Sequence, residues 1–262
     1  TSFDSNGFSL GANGDVNGST FPIVAWNWKA GGTAVSNTAG TIASQVSANT
    51  TAGFSIVTFT GTQTNQTVGH GLGVPPEIII TKPTVVQNWV VGATSIGWTK
   101  YLHLNLTNAE GTSASPWNNT APTSYVYSVG IAPDTNNNGN TMVAYCFASV
   151  EGYSKIGSYT GNGSADGTFV YTGFRPAYVM IKRTNAAGNW LVYDNKRDAY
   201  NPAPNILIPN SSSAESSGST TGIDMLSNGI KFRGTNAALN SSGSPYIYMA
   251  FAENPFKNSL AR

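Results

Sequence analysis

Tyr246-Ile-Tyr-Met-Ala-Phe-Ala-Glu-Asn-Pro-Phe-Lys257 decides how this chain is read, because the same kind of line occurs twice more upstream. Phe21-Pro-Ile-Val-Ala-Trp-Asn-Trp28 and Thr141-Met-Val-Ala-Tyr-Cys-Phe-Ala148 also set an alanine inside an apolar and aromatic run, behind a polar turn rich in Gly and Asn. A closing strand used three times makes the chain a repeat array.

Working outward, the two later copies extend into full modules. Phe59-Thr60-Gly61 corresponds to Tyr159-Thr160-Gly161, and Asn88-Trp89-Val90-Val91 to Asn189-Trp190-Leu191-Val192. Gly73-Val-Pro-Pro-Glu-Ile-Ile-Ile-Thr-Lys82 corresponds to Gly173-Phe-Arg-Pro-Ala-Tyr-Val-Met-Ile-Lys182, with proline just ahead of each strand, where its missing N–H harms no ladder. Short Val-, Ile- and aromatic-rich runs between Gly/Asn/Ser/Pro turns predict tandem antiparallel β-sandwich, jelly-roll-like modules over residues 54–152 and 153–262. Helix is expected only as single turns, near Thr107 or Ser212, where a polar cap precedes a carboxylate.

The first copy is partial. Ser5-Asn6-Gly7 matches Ser227-Asn228-Gly229, and Gly11, Asn13 and Asn17 match Gly234, Asn236 and Asn240, so residues 1–29 read as the closing hairpin of a module whose opening lies elsewhere. Phe8, Leu10, Phe21, Ile23 and Val24 then need a cover, since each large apolar side chain left in water forgoes roughly 1.5–3 kcal/mol. An oligomer with a mass above the 27.4 kDa of one chain is the expectation. Residues 30–53 carry few large side chains and read as a Gly/Ser/Thr-rich linker or strap.

Composition narrows the function. Charged residues make up 10% of the chain and net charge is +1, which supplies no field for nucleic acid or for an anionic membrane. No apolar run is long enough to span a bilayer, so no membrane insertion is expected. Cys146 is the single cysteine and sits in an apolar run as a small buried hydrophobe.

The blocks VAWNWKAGG, SANTTAGFSIVTFTG, TVGHGLGVPPEIIITK, VEGYSKIGSYTGNGSADGTFVYTGFRP and YIYMAFAENPFK resemble the repeated modules of tail-fibre-like and other virion structural proteins of marine bacteriophages. The resemblance covers essentially the whole chain. It implies a non-enzymatic virion component, most simply a tail-fibre or adhesin-type protein contacting a host surface glycan or protein and associating with other virion proteins. A capsid decoration or head-fibre protein is the alternative within that class, and a glycan depolymerase the alternative from another.

The residues themselves offer little chemistry. Gly69-His-Gly-Leu-Gly73 lacks the Lys-Ser/Thr of a phosphate loop and reads as a strand-connecting turn. Two histidines, His70 and His103, and one cysteine make no metal-ligand spacing, and no cofactor is expected. Asp194, Asp198, Glu215 and Asp224 are the best carboxylate set for a hydrolase, but the middle module lacks most counterparts. Lys182, Arg183, Asp194, Lys196, Arg197 and Asp198 form the densest charge cluster, read either as a solvated loop or as a polar contact. Trp89 and Trp190 recur at equivalent positions, which favours packing. Trp98 and Trp117 do not recur, and neither do Trp26 and Trp28; such unrepeated aromatics are where a sugar ring would stack or another subunit dock, with plain packing as the other reading. The candidate binding residues are therefore Trp98, Trp117, Lys196, Arg197 and Asp198.

Overall fold

The computed structural model describes residues 2–4 and 7–255; the Ser5-Asn6 part of the first turn and the end of the last module, 256–262, lie outside the described residues. The chain is all-β. An N-terminal unit holds β1 (Ser2–Asp4), β2 (Gly7–Ser9) and the one-turn helix α1 (Gly14–Asn17). The middle module runs β3 (Val35–Asn37), β4 (Ser44–Asn49), β5 (Phe54–Thr60), β6 (Gln66–Gly69), β7 (Ile78–Pro83), β8 (Val90–Ala93), β9 (Lys100–His103), β10 (Gly111–Thr112), β11 (Val126–Val129), α2 (Pro133–Asn136) and β12 (Thr141–Phe147). The last module runs β13 (Ser154–Thr160), β14 (Phe169–Tyr171), β15 (Pro176–Arg183), β16 (Trp190–Asp194), β17 (Asn205–Ile206), β18 (Ser216–Ser217), β19 (Ile223–Leu226), β20 (Gly229–Phe232), α3 (Ala237–Asn240) and β21 (Pro245–Ala252).

Both modules order their main strands alike. The sequence β8-β7-β12-β5 in the first reads β16-β15-β21-β13 in the second, with the closing strand central in each. On one face of each main sheet lies a smaller sheet, β6 with β11 or β14 with β20 and β19. The other faces of the two main sheets meet across a shared apolar layer, to which Phe54, Ile80 and Phe147 contribute from one side and Met180, Ile247 and Phe251 from the other. Polar links cross the same seam. Trp190 Nε1 donates to His103 O at 2.8 Å, and the buried Lys182 Nζ donates to Thr107 O at 3.0 Å. Burial lowers the Lys182 ammonium to a pKa of about 8.

Each closing segment is introduced by a one-turn helix, and the described structure has none at Thr107 or Ser212. Asn13 and Asn236 cap α1 and α3, each Oδ1 accepting a backbone N–H two residues on. The last helical residue is an asparagine in all three copies. Asn136 Nδ2 donates to Gly130 O and Thr64 O, both at 2.8 Å, while its Oδ1 accepts from Thr62 N–H at 2.7 Å. Asn240 repeats this with Gly234 O, Ser164 O and Asn162 N–H. A buried side chain thus clamps the turn after the opening strand onto the closing end of its module. Asn17 bonds Gly11 O at 2.9 Å but is exposed.

The expected linker at 30–53 is a correction. β3 and β4 extend the middle module's main sheet to eight strands through the β4–β5 pairing, and Ile42 and Val46 enter its core. Small residues serve close approach here. A Cβ on Gly31 would lie 2.1 Å from Ala48 O.

Trp98 and Trp117 are also corrected. They are 7% and 0% exposed and pack edge to face, ring centroids 5.6 Å apart, inside the middle module's core. The cause is an exchange of volume between copies. Tyr193, fully buried in the last module, stands where the middle module has Gly92, and a Cβ on Gly92 would meet the Trp98 and Trp117 rings at 2.5 and 2.7 Å. The two unrepeated tryptophans fill the space that a repeated tyrosine fills elsewhere. Trp190 is buried as expected, whereas Trp89 is only partly buried.

Two outcomes follow for stability. Asn136→Ala and Asn240→Ala each leave buried backbone groups unpaired and should cost roughly 1–3 kcal/mol, while Asn17→Ala should be near neutral, read from urea midpoints. Gly92→Ala should cost about 1–3 kcal/mol by overpacking, and Trp98→Phe in the same chain should restore part of it.

Candidate aromatic cleft between the modules

The seam between the main sheets opens at one side into a cleft of about 420 Å³. Its walls come from three parts of the chain: Trp89 and Tyr145 from the middle module, Tyr178 and Met180 from the last, and Trp26 and Trp28 from the N-terminal unit. Local sequence sets each wall. Trp89 precedes β8, where its N–H donates to Asn105 Oδ1 at 2.9 Å, and Asn105 in turn donates to Asn88 Oδ1. The same Asn-Trp-Asn bracket recurs around Trp190 with Asn189 and Asn210. Equivalent brackets meet different surroundings because the modules face one another, so Trp190 reaches across the seam while Trp89 lines its open side. Trp89 stacks on Tyr145 at 6.3 Å and 16°.

Residues 21–30, expected as a closing strand, form no regular strand, and Trp26, Trp28 and Ala30 pack onto the seam. Trp28 sits edge-on to Phe147, Tyr178 and Phe251, with centroids 5.3–6.2 Å apart. Trp26 is edge-on to Tyr178 at 5.6 Å, and its Nε1 donates to Asp194 Oδ2 at 3.3 Å.

That carboxylate organises the Asp194–Arg197 part of the charge cluster. Burial raises the Asp194 pKa, but hydrogen bonds from the Arg197 and Lys196 region and the Arg197 charge outweigh it and hold the group below its ordinary value. Arg197 Nε meets Asp194 at 2.7 Å, one terminal nitrogen meets Glu215 at 2.5 Å, and the other donates to Val192 O. Asp198 accepts from the Asn205 backbone and side-chain N–H groups. Arg197 and Asp198 are therefore occupied in holding the loop after β16, and Lys196 alone of the candidate trio is exposed. Of the hydrolase set, Asp194 and Glu215 are thus committed to Arg197 and Asp198 to Asn205, and Asp224 pairs with Arg233 at 2.6 Å.

The histidines serve structure. His70 is buried, its Nδ1 accepting from Leu72 N–H at 3.2 Å and its Nε2 standing 3.1 Å from Thr123 O, which places the proton on Nε2. Burial lowers its pKa against that hydrogen bond. His103 is lowered by burial too, opposed by Asp134 at 3.9 Å. Burial pushes the Cys146 thiol up to about 12, which keeps it protonated. Among the described residues, no three His, Cys, Asp or Glu side chains are grouped to hold a metal ion.

The cleft can therefore accept a flat or ring-shaped ligand face by stacking and apolar contact. The residues that sequence reasoning missed are Trp89, Tyr145 and Tyr178. Tyr145 and Tyr178 lie within β12 and β15, strands apolar on both faces, and Trp89 directly precedes β8. No curated protein and no solved structure matches the chain. A family model described as "Domain of unknown function (DUF7483)" matches residues 1–255, and the chain belongs to that family.

Proposed function

We propose that this protein is a non-enzymatic structural component of a bacteriophage virion, of the tail-fibre or adhesin type, that contacts a host surface glycan through the aromatic cleft. The carrying observation is the cleft itself, with Trp26 and Trp28 of the N-terminal segment and Trp89 of the middle module only partly buried around one opening. Aromatic faces held in place by their neighbours suit sugar rings, which offer apolar C–H faces between hydroxyls. Single contacts of this kind are weak, and several copies on one particle would raise them to useful avidity. The commitment of Asp194, Glu215 and Asp224 to arginine partners favours binding over glycan cleavage.

Saturation-transfer NMR against host-surface polysaccharide tests this reading. Transfer from the tryptophan rings is expected, with affinity at least tenfold weaker in Trp89→Ala and with no new reducing ends released. Binding unchanged by Trp89→Ala would remove the cleft from the proposal. Release of reducing ends would replace the adhesin with a depolymerase.

A further inference from the structure

Among the described residues, the N-terminal unit leaves an inner apolar face largely open to solvent. Phe8, Leu10, Val16, Phe21 and Ile23 are 38%, 41%, 46%, 71% and 48% exposed. By the repeat their counterparts are Ile230, Phe232, Leu239, Tyr246 and Tyr248, all in the last module's core and no more than 4% exposed. Order of elements supports the correspondence: hairpin, Asn-capped helical turn, then closing segment, in the N-terminal unit as in the last module.

The two complete modules show what belongs on that face. In the last module, Tyr159 of the opening strand stacks on Phe232 and Tyr246 at 4.5 and 4.8 Å. The turn that follows is gripped by Asn240, through Asn162 N–H and Ser164 O. In the middle module Phe59 holds the place of Tyr159, and Asn136 grips Thr62 N–H and Thr64 O. Asn17 keeps only the bond common to all three, to Gly11 O, so an acceptor and a donor that its counterparts give to a turn are free for one.

We propose that the N-terminal unit is an acceptor for a module-opening segment: a β-strand ending in aromatic-Thr-Gly, followed by a polar turn, supplied from outside residues 7–255. Its aromatic side chain would lie against Leu10 and Phe21, and its turn would take the free amide of Asn17. Both opening segments of the chain, β5 and β13, are already paired in their own sheets. This inference stands apart from glycan binding in the cleft.

The test uses the full chain and a labelled peptide of residues 153–166, followed by fluorescence anisotropy and hydrogen exchange. Saturable one-to-one binding is expected, with new exchange protection over residues 7–24. Affinity should fall at least tenfold in Asn17→Ala and, with the protein unaltered, on Tyr159→Ser in the peptide. Tethering the same segment ahead of the chain by a Gly/Ser linker should give that protection without added peptide. Absence of protection in the tethered chain overturns the proposal, as does binding indifferent to both substitutions. A solution mass above 27.4 kDa that Phe8→Ser returns to one chain would also overturn it, by assigning the face to a second copy.

Discussion

Everything in this molecule depends on the burial of two main sheets on both faces. In β21 the side chains alternate between two cores: Tyr246, Tyr248 and Ala250 meet their own module's small sheet, and Ile247, Met249 and Phe251 meet the other module. In β7, Ile79 faces inward while Ile78 and Ile80 face the seam. A strand with two apolar faces has no polar side to alternate with, which is why these segments read as continuous apolar runs although the sheets are antiparallel. Separating the modules would expose the seam layer and break the Trp190 and Lys182 links together. The protein is thus one body and not two beads.

That constraint separates what the sequence could tell from what it could not. The strands and the repeat of the two full modules were legible, because apolar runs and Gly/Asn turns are local signals; the one-turn helix ahead of each closing segment was not, since the expected helical turns lay near Thr107 and Ser212. The environment of a repeated residue was not. Trp89 and Trp190 share a bracket of asparagines but differ in burial, since facing modules place equivalent positions at different depths of one seam. Repetition therefore reports fold, while exposure is decided by the neighbour. The strap at 30–53 was misread for a related reason: its small residues allow backbone contact at Gly31 and admit Ile42 and Val46 to the core, where composition alone suggested slack chain.

The core shows how repeats diverge without changing shape. Val57 pairs with Ala144 in the middle module, while Gly157 pairs with Tyr248 in the last, so a large residue moves from one strand to its neighbour. Gly92 against Tyr193 is the same exchange carried out over a longer path, with Trp98 and Trp117 supplying the volume. Packing density leaves no other choice, because a void of that size would be costly. A glycine in the middle of Val90-Val91-Gly92-Ala93 was the available clue that something large lay above it. Absence of a tryptophan from one copy marked a repacked core and not a ligand platform.

The N-terminal unit joins these threads. Its two ends have opposite fates: Phe8 to Ile23 face solvent, while Trp26 and Trp28 are set into the seam. Asp194 connects that anchor to the rest, since one carboxylate accepts from Trp26 and binds Arg197, which in turn holds Glu215. Arg197 and Asp194 thus fix the loop against which Trp26 rests. Because the cleft walls come from both modules and from this anchored segment, its width is set by the relative placement of all three. A ligand seated there would report on the N-terminal segment as much as on the sheets, and whatever displaces Trp26 from Asp194 would open the cleft from one side only.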